Sequence, residues 1–326
     1  MNNPILVKRI VEADKCIRDY IRETPVEFSL PLSKIGRCQV HLKLENLQIT
    51  GSFKFRGAIN KILSLTKKEV VTASSGNHGL AVAKALSLVD GTGLIFLPQN
   101  TVQAKIDALQ EFDVEVKIYG EDSSDTELHA RQIANQEEKT YISPYNDWDI
   151  IAGQGTIGIE LEKQLPHIDS VLVAIGGGGL ISGVGTYLKD VNPKVEVIGC
   201  TPLNSPPLYE SIKAGRIVNV PIHPTLSDGT AGGIEPNTIT LDLCQKLIDH
   251  FIVVTEEDIK HAIIFMLKQH HMIIEGAAGV TVAAYLKEKE RFHDKNVVLI
   301  ICGRNIGLGT LKQIICEQEH PKLNRA

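Results

Sequence analysis

The chain of 326 residues carries 34 lysines and arginines against 39 aspartates and glutamates. The resulting net charge of -5 excludes the basic surface with which proteins bind nucleic acid. No apolar run is long enough to span a membrane, and the first ten residues lack the apolar core of a signal peptide.

The six cysteines are scattered along the chain, and none of them forms a Cys-x-x-Cys pair. Such spacing argues against a zinc site and against a disulfide framework. Reduced thiols are typical of a cytoplasmic protein, so we predict a cytoplasmic location.

Apolar periodicity predicts alternating helices and strands in the first half of the chain. Pro25 and Pro31 indicate a loop after the first helix. Helices are predicted at 7–21, 58–63 and 80–88, with a further helix between the third and fourth strands. Strands are predicted at 40–44, 70–73, 94–97, 114–118 and 141–142.

The second half repeats this alternation, beginning with a continuous apolar strand at 171–175. Further strands are predicted at 195–199, 251–254 and 297–301. Residues 201–240 are rich in proline and glycine and poor in periodicity, which favours a functional loop region. Strands that alternate with helices predict an α/β fold of parallel sheets covered on both faces, with two lobes and a cleft between them.

Lys54 lies in the stretch Gly-Ser-Phe-Lys-Phe-Arg-Gly-Ala at 51–58, between a predicted strand and a predicted helix. A lone lysine is usually a solvated surface residue. A lysine that a fixed backbone holds in a dry site can instead form a Schiff base, because desolvation lowers its pKa. Glycine-rich stretches downstream, which suit an anionic cofactor, favour the second interpretation.

Four glycines at 176–179, the glycine turn, follow the strand at 171–175 and precede a predicted helix. Such a turn exposes backbone N–H groups where the helix dipole favours a phosphate, although four glycines could merely permit a tight turn. The spacing is not that of a nucleotide P-loop. No acidic residue ends the next strand at 195–199, which weakens a dinucleotide site.

Residues 74–79, Ser-Ser-Gly-Asn-His-Gly, form a second strand-to-helix turn and are called the serine–asparagine loop below. The simplest interpretation is a helix cap that uses the asparagine. The functional interpretation is a cradle for a substrate carboxylate, in which Asn77 donates to a phenolate-like oxygen.

These motifs occur together, in order, with Ile-Ala-Gly-Gln-Gly-Thr at 151–156 and Cys-Gly-Arg-Asn at 302–305. In this combination the chain resembles pyridoxal-phosphate enzymes of the tryptophan-synthase β-subunit fold, fold type II, and among them the serine/threonine dehydratases and serine racemase. The stretches at 205–216 and 226–236 are similar to those of hydroxyectoine-utilisation dehydratases. The resemblance implies that residues 1–68 and 147–326 form a large cofactor-binding domain and residues 69–146 a small domain, with the cofactor in the cleft.

The resemblance also assigns roles to individual residues around pyridoxal 5'-phosphate. It implies that Lys54 forms the Schiff base and then removes the substrate α-proton, that Phe53 packs on the cofactor ring, and that Asn77 bonds the ring's 3-oxygen. The phosphate would be held by Gly176, Gly177, Gly178, Gly179 and Leu180.

Further implied neighbours of the ring are Cys302, which would face the ring nitrogen, Gly229 and Glu275. Ser75 matches the acid/base of serine racemase on the opposite face. A thiol cannot keep the ring nitrogen protonated as a carboxylate would, which favours prompt loss of a β-leaving group. The substrate would bind at Ser74, Ser75, Gly76, Asn77 and His78.

Two departures from the family pattern matter. Thr201 and Pro207 stand where serine racemase has carboxylates that bind a divalent metal, so no metal is predicted. The run Ser-Pro-Tyr-Asn-Asp at 143–147 is like that of the dehydratases. The chain also stops without the regulatory domain of long biosynthetic threonine dehydratases, so feedback control by isoleucine is not expected.

The predicted function is therefore β-elimination from a small 3-hydroxy amino acid, such as threonine or serine, to a 2-oxo acid and ammonia. A β-replacement synthase of the cysteine-synthase type and an amino acid racemase remain alternatives, and a non-enzymatic cofactor reservoir is disfavoured because Lys54 is intact. The predicted partners are a small amino acid substrate and further copies of the chain in a dimer or tetramer.

Overall fold

A computed structural model describes residues 3–99, 101, 103–121 and 123–319. The strands are β1 (Val26–Phe28), β2 (Gln39–Lys43), β3 (Glu69–Ala73), β4 (Thr92–Leu97), β5 (Glu115–Ile118), β6 (Thr140–Tyr141), β7 (Ser170–Ala174), β8 (Glu196–Pro202), β9 (His250–Val254) and β10 (Asn296–Ile300). The helices are α1 (Pro4–Ile17), α2 (Leu30–Gly36), α3 (Lys54–Ser64), α4 (Asn77–Ser87), α5 (Gln103–Gln110), α6 (Ser123–Gln136), α7 (Trp148–Gln164), α8 (Gly179–Val191), α9 (Pro207–Ala214), α10 (Ile239–Leu247), α11 (Glu256–His270), α12 (Gly276–Lys287) and α13 (Leu308–Glu319).

The strands form two sheets. The larger has the order β1-β2-β10-β7-β8-β9 and is parallel except for β1, which pairs antiparallel with β2. The smaller has the order β5-β4-β3-β6 and is parallel throughout. Every predicted strand is present, so the predicted α/β class with parallel sheets is confirmed. The residue bounds of the two domains stay a prediction.

Helices cover both sheets. In the larger sheet every residue of β7 is buried, and its apolar side chains pack with residues of α8, α11 and α12. In the smaller sheet, apolar side chains of α6 pack with Val71, Leu94 and Phe96, while those of α4 and α5 pack with Ile95 and Leu97. A strand that is buried on both faces reads as a continuous apolar run, which is why β7 was recognisable from sequence.

The loop predicted around Pro25 and Pro31 is wrong, because it contains β1 and α2. Pro31 lies in the first turn of α2, where a proline loses no helical hydrogen bond. The Ser29 side chain caps this helix by accepting from the Leu32 N–H. The proline therefore starts a helix here.

The first helix was predicted at 7–21, but it runs from Pro4 to Ile17. The Asn3 side chain accepts from the Leu6 N–H and fixes the start of α1 three residues earlier than the apolar pattern indicated. The region 201–240 also contains a helix, α9, which ends at Gly215 in the left-handed conformation.

A buried ion-pair network connects α3 to the larger sheet. Arg56 Nε lies 2.8 Å from Glu45 Oε2, and Arg56 Nη1 lies 2.6 Å from Glu160 Oε1. Lys43 Nζ lies 2.5 Å from Glu160 Oε2. Two cations and two carboxylates balance in charge, as buried ionic groups require. The network fixes the helix whose first residue is Lys54.

Within the described ranges, no helix is long and apolar enough to cross a membrane.

Candidate active site

Lys54 begins α3 beside the carboxyl end of β10. The Phe53 N–H donates to the Cys302 carbonyl at 3.0 Å, and the Arg304 N–H donates to the Gly51 carbonyl at 2.9 Å. These bonds align the lysine stretch with the end of β10, so Lys54 and Cys302 come into the same cleft. In parallel α/β sheets, ligands bind at this end of the strands.

Lys54 is half-buried, and its amine is held by the protein. Its Nζ donates to the Pro144 carbonyl at 2.8 Å and lies 5.3 Å from the centre of the Phe53 ring. Burial lowers the pKa of Lys54 to about 8, although Cys302 and Glu275 oppose the shift. A substantial neutral fraction near physiological pH makes the amine a nucleophile and a base, in contrast to a solvated surface lysine.

The glycine turn has no room for side chains. A Cβ at Gly177 would lie 2.3 Å from the Tyr145 ring, and a Cβ at Gly176 would lie 2.9 Å from the Thr230 Cα. Gly178 has a φ of 84° and is the N-cap of α8, with no side chain capping the helix. The N–H groups of the first turn, which include Gly179 and Leu180, therefore lack helical acceptors. This donor set fits a phosphate group.

The serine–asparagine loop leads into α4, whose N-cap, Gly76, makes no side-chain cap. Asn77 does not cap the helix. Its Nδ2 donates to both carboxylate oxygens of Glu275 at 2.9 Å, and its Oδ1 accepts from Asn305 Nδ2 at 2.6 Å. The simple capping interpretation is therefore wrong, and the predicted contact of Asn77 with a ring oxygen would share the same Nδ2 group.

Glu275 is only 2% exposed and lies among the predicted neighbours of the ring. A Cβ at Gly303 would approach its Oε1 to 2.5 Å, and one at Gly229 would lie 3.5 Å from the same oxygen. The Asn305 N–H donates to Glu275 Oε2 at 3.1 Å. Burial raises the pKa of Glu275 to about 7 despite the hydrogen bond from Asn77.

Cys302 follows β10 and is 2% exposed. Burial raises the pKa of its thiol well above the usual range, and Glu275 adds to the shift. The side chain is therefore a neutral thiol, the protonation state expected of a group that faces an unprotonated ring nitrogen.

The predicted substrate residues differ in the space around them and in the hydrogen-bonding groups that they leave available. A Cβ at Gly76 would meet nothing within 4 Å, which leaves open space at the loop. Ser74 Oγ accepts from the Gly76 N–H at 3.2 Å, while the half-buried Ser75 hydroxyl has no hydrogen-bond partner among the described residues. The His78 ring is buried with Nε2 3.1 Å from the Ile142 carbonyl, and burial lowers its pKa to about 3. The ring is therefore neutral, and among the described residues its Nδ1 is buried without a hydrogen-bond partner. The backbone N–H of His78, in the first turn of α4, stays a candidate substrate contact.

Pro144 and Asn305 contact the predicted site residues but were not assigned a role from the sequence. Pro144 lies in the run at 143–147 and Asn305 in the Cys-Gly-Arg-Asn motif, so both were visible as motif members. In the described parts of the chain, no group of three or more histidines, cysteines, aspartates or glutamates could hold a metal ion.

Comparisons with known proteins match most of the chain. The family model of pyridoxal-phosphate dependent enzymes matches residues 17–303. An L-threonine ammonia-lyase of Thermotoga maritima is 38% identical over 315 residues, which cover 95% of this chain and 78% of that protein.

Two solved structures are similar over nearly the whole chain. A processed threonine deaminase isoform of Solanum lycopersicum has a TM-score of 0.91 and 31% identity, over 96% of this chain and 93% of that one. A maize serine racemase has a TM-score of 0.88 and 30% identity, over 97% of this chain and 98% of that one. These likenesses confirm the predicted two-lobed fold, whereas the narrower hydroxyectoine subgroup stays a prediction.

Proposed function

Because the chain belongs to the family of pyridoxal-phosphate dependent enzymes, we propose that it is an ammonia-lyase for a small 3-hydroxy amino acid such as L-threonine. The observation that carries this proposal is the Lys54 amine of lowered pKa in the cleft that also contains the uncapped N-termini of α4 and α8. The similar threonine ammonia-lyase and threonine deaminase support it.

Different residues of the cleft bind the cofactor, bind the substrate and transfer the proton. The glycine turn binds the cofactor phosphate through backbone N–H groups, and the start of α4 binds the substrate carboxylate. When bound, pyridoxal phosphate withdraws electrons from the substrate α-carbon. Lys54 takes the α-proton, the β-hydroxyl leaves with a proton as water, and hydrolysis releases ammonia and a 2-oxo acid.

A substrate panel tests this reaction. The purified protein loaded with pyridoxal phosphate is incubated with threonine, serine, 3-hydroxyaspartate and phenylserine, and 2-oxo acid and ammonia are measured. We expect equal amounts of both products from at least one substrate. Sulfide is added in a parallel reaction, and accumulation of a sulfur-containing amino acid in place of 2-oxo acid would indicate β-replacement instead.

Racemisation is the second candidate function, favoured by the Ser75 hydroxyl, which has no hydrogen-bond partner in the described part of the chain, and by the likeness to maize serine racemase. Racemisation needs acid/base groups on both faces of the α-carbon, and Lys54 serves only one. Ser75→Ala is therefore expected to abolish D-serine formation and to retain most of the dehydration. Chiral chromatography of the amino acid together with 2-oxo acid detection measures both. Loss of dehydration in Ser75→Ala would show that Ser75 belongs to the elimination pathway.

Cys302 variants test the group that faces the ring. Cys302→Ser is expected to keep activity within about tenfold, because a neutral hydroxyl replaces a neutral thiol. An aspartate carboxylate would hold a proton on the ring nitrogen, so Cys302→Asp is expected to lower dehydration by about a hundredfold, within the range typical of proton-transfer effects. Steady-state 2-oxo acid formation measures both variants. Wild-type behaviour of Cys302→Asp would mean that Cys302 does not contact the ring.

The lowered pKa of Lys54 predicts how cofactor attachment depends on pH. Only the neutral amine attacks an aldehyde, and this form increases as the pH rises through about 8. Attachment to the cofactor-free protein should therefore accelerate as the pH rises through about 8, where half of the amine is neutral, and level off about one pH unit higher. Stopped-flow absorbance measures the rate. A rate that climbs to pH 10 and beyond would indicate a lysine with its ordinary pKa of 10.5.

Assembly into a homo-oligomer and a cytoplasmic location remain predictions, which size-exclusion chromatography with light scattering and cell fractionation would test.

A further inference from the structure

Glu235 connects the loop after Gly229 to the opposite side of the cleft. Its Oε2 accepts from Arg131 Nη2 of α6 at 2.7 Å and from Asn146 Nδ2 at 2.8 Å. Its Oε1 accepts from the Ser143 hydroxyl at 3.0 Å. The side chain is only 14% exposed, so one carboxylate satisfies three donors in a largely dehydrated place.

The same residue contacts the cleft through its backbone. The Glu235 N–H donates to the Tyr145 hydroxyl at 2.8 Å, and the Ile239 N–H donates to Asn146 Oδ1 at 3.0 Å. Glu235 and its neighbours therefore bind the 143–146 segment at Ser143, Tyr145 and Asn146.

The 143–146 segment lies between β6 and α7 and belongs to neither. It has no strand ladder or helix of its own to fix its position, so side-chain bonds must supply the order. Two members of the segment face the predicted cofactor site. The Pro144 carbonyl accepts from Lys54 Nζ at 2.8 Å, and the Tyr145 ring closes against Gly177.

We propose that Glu235 is a positioning residue, which holds the 143–146 segment so that Pro144 places the Lys54 amine and Tyr145 supports the glycine turn for cofactor binding. This inference rests on the proposed function, because it assumes that Lys54 carries the cofactor. The competing possibility is that Glu235 only joins the two sides of the cleft and adds stability.

Glu127 provides a matched control. It also accepts from Arg131 Nη2, at 2.9 Å, but it makes no hydrogen bond to the 143–146 segment among the described residues. Glu127→Gln therefore perturbs the same arginine and leaves the segment bonded. Glu235→Gln keeps an oxygen that accepts from Ser143 or Asn146 and loses the charged pair, whereas Glu235→Ala removes all three bonds.

Three properties are measured for each variant. Titration of the cofactor-free protein with pyridoxal phosphate gives the dissociation constant of the cofactor, steady-state kinetics give kcat and KM for L-threonine, and urea unfolding gives the stability. We expect Glu235→Ala to weaken cofactor binding about tenfold or more, as loss of charged hydrogen bonds does. The kcat should fall by a larger factor than KM rises, since the free Lys54 amine loses its fixed position. Glu235→Gln should lie between Glu235→Ala and wild type, and Glu127→Gln should match wild type.

The inference would be overturned if the Glu235 variants bound the cofactor as tightly as Glu127→Gln and had the same kcat. In that case Glu235 would affect only the resistance of the protein to urea. If Glu235→Ala does not fold, the cofactor affinity and kcat of Glu235→Gln are compared with those of Glu127→Gln instead. Failure of the wild-type protein to bind pyridoxal phosphate would instead contradict the proposed function.

Discussion

Lys54→Ala is expected to lower 2-oxo acid formation by about a thousandfold or more. Proton transfer by a positioned side chain contributes roughly 10²–10⁴-fold, and the variant also loses the nucleophile that binds the cofactor covalently. The measurements are the steady-state rate with L-threonine and the visible absorbance of the protein after incubation with pyridoxal phosphate. Both 2-oxo acid formation and the visible absorbance of the attached cofactor should be lost.

Lys61→Ala is the matched control for this substitution. Lys61 lies on the same helix, α3, but its Nζ pairs with Asp147 Oδ2 at 2.7 Å, whereas Lys54 Nζ donates to the Pro144 carbonyl. We expect Lys61→Ala to retain the absorbance and most of the activity. Full turnover by Lys54→Ala would contradict the mechanism.

Arg56→Met is expected to lower the free energy of unfolding by about 3–5 kcal/mol, the usual cost of removing one partner from a buried ion-pair network. Burial alone would lower the pKa of Arg56, but Glu45 and Glu160 raise it above the usual range, so the guanidinium stays charged. Without it, Glu45 and Glu160 remain in the interior, with Lys43 as the only cation of the network. Urea unfolding of the cofactor-free protein, followed by circular dichroism, measures the loss.

The partly exposed Arg9 provides the control for Arg56→Met. Arg9 pairs with Asp149 at 3.1 Å, but its side chain is 44% exposed. Arg9→Met should cost less than about 1 kcal/mol, because water screens the pair. Equal losses for the two variants would show that the Arg56 network adds nothing beyond a surface ion pair.

Local patterns predicted the parts of the site that depend on a few consecutive residues. The glycine turn and the serine–asparagine loop each join a strand to a helix, and Lys54 begins a helix at the end of a recognisable stretch. The resemblance to fold type II enzymes, and not the periodicity, implied that these motifs meet at one cofactor cleft.

Contacts between distant residues could not be read from the sequence. Glu235 and Arg131, or Arg56 and Glu160, are separated by about a hundred positions and follow no local period. Nothing in the periodicity distinguishes a carboxylate that ends in a buried network from one on the surface. Proline at the start of α2 was misread for a related reason, since its effect depends on whether a helix begins there.

Each proposed step depends on attachment of the cofactor to Lys54, and peptide mapping measures that attachment most directly. The protein is loaded with pyridoxal phosphate, reduced with borohydride, digested and examined by mass spectrometry. We expect the reduced cofactor on the peptide that contains Lys54 and on no other lysine. A modified lysine elsewhere, with Lys54 unmodified in the active protein, would contradict the proposed site.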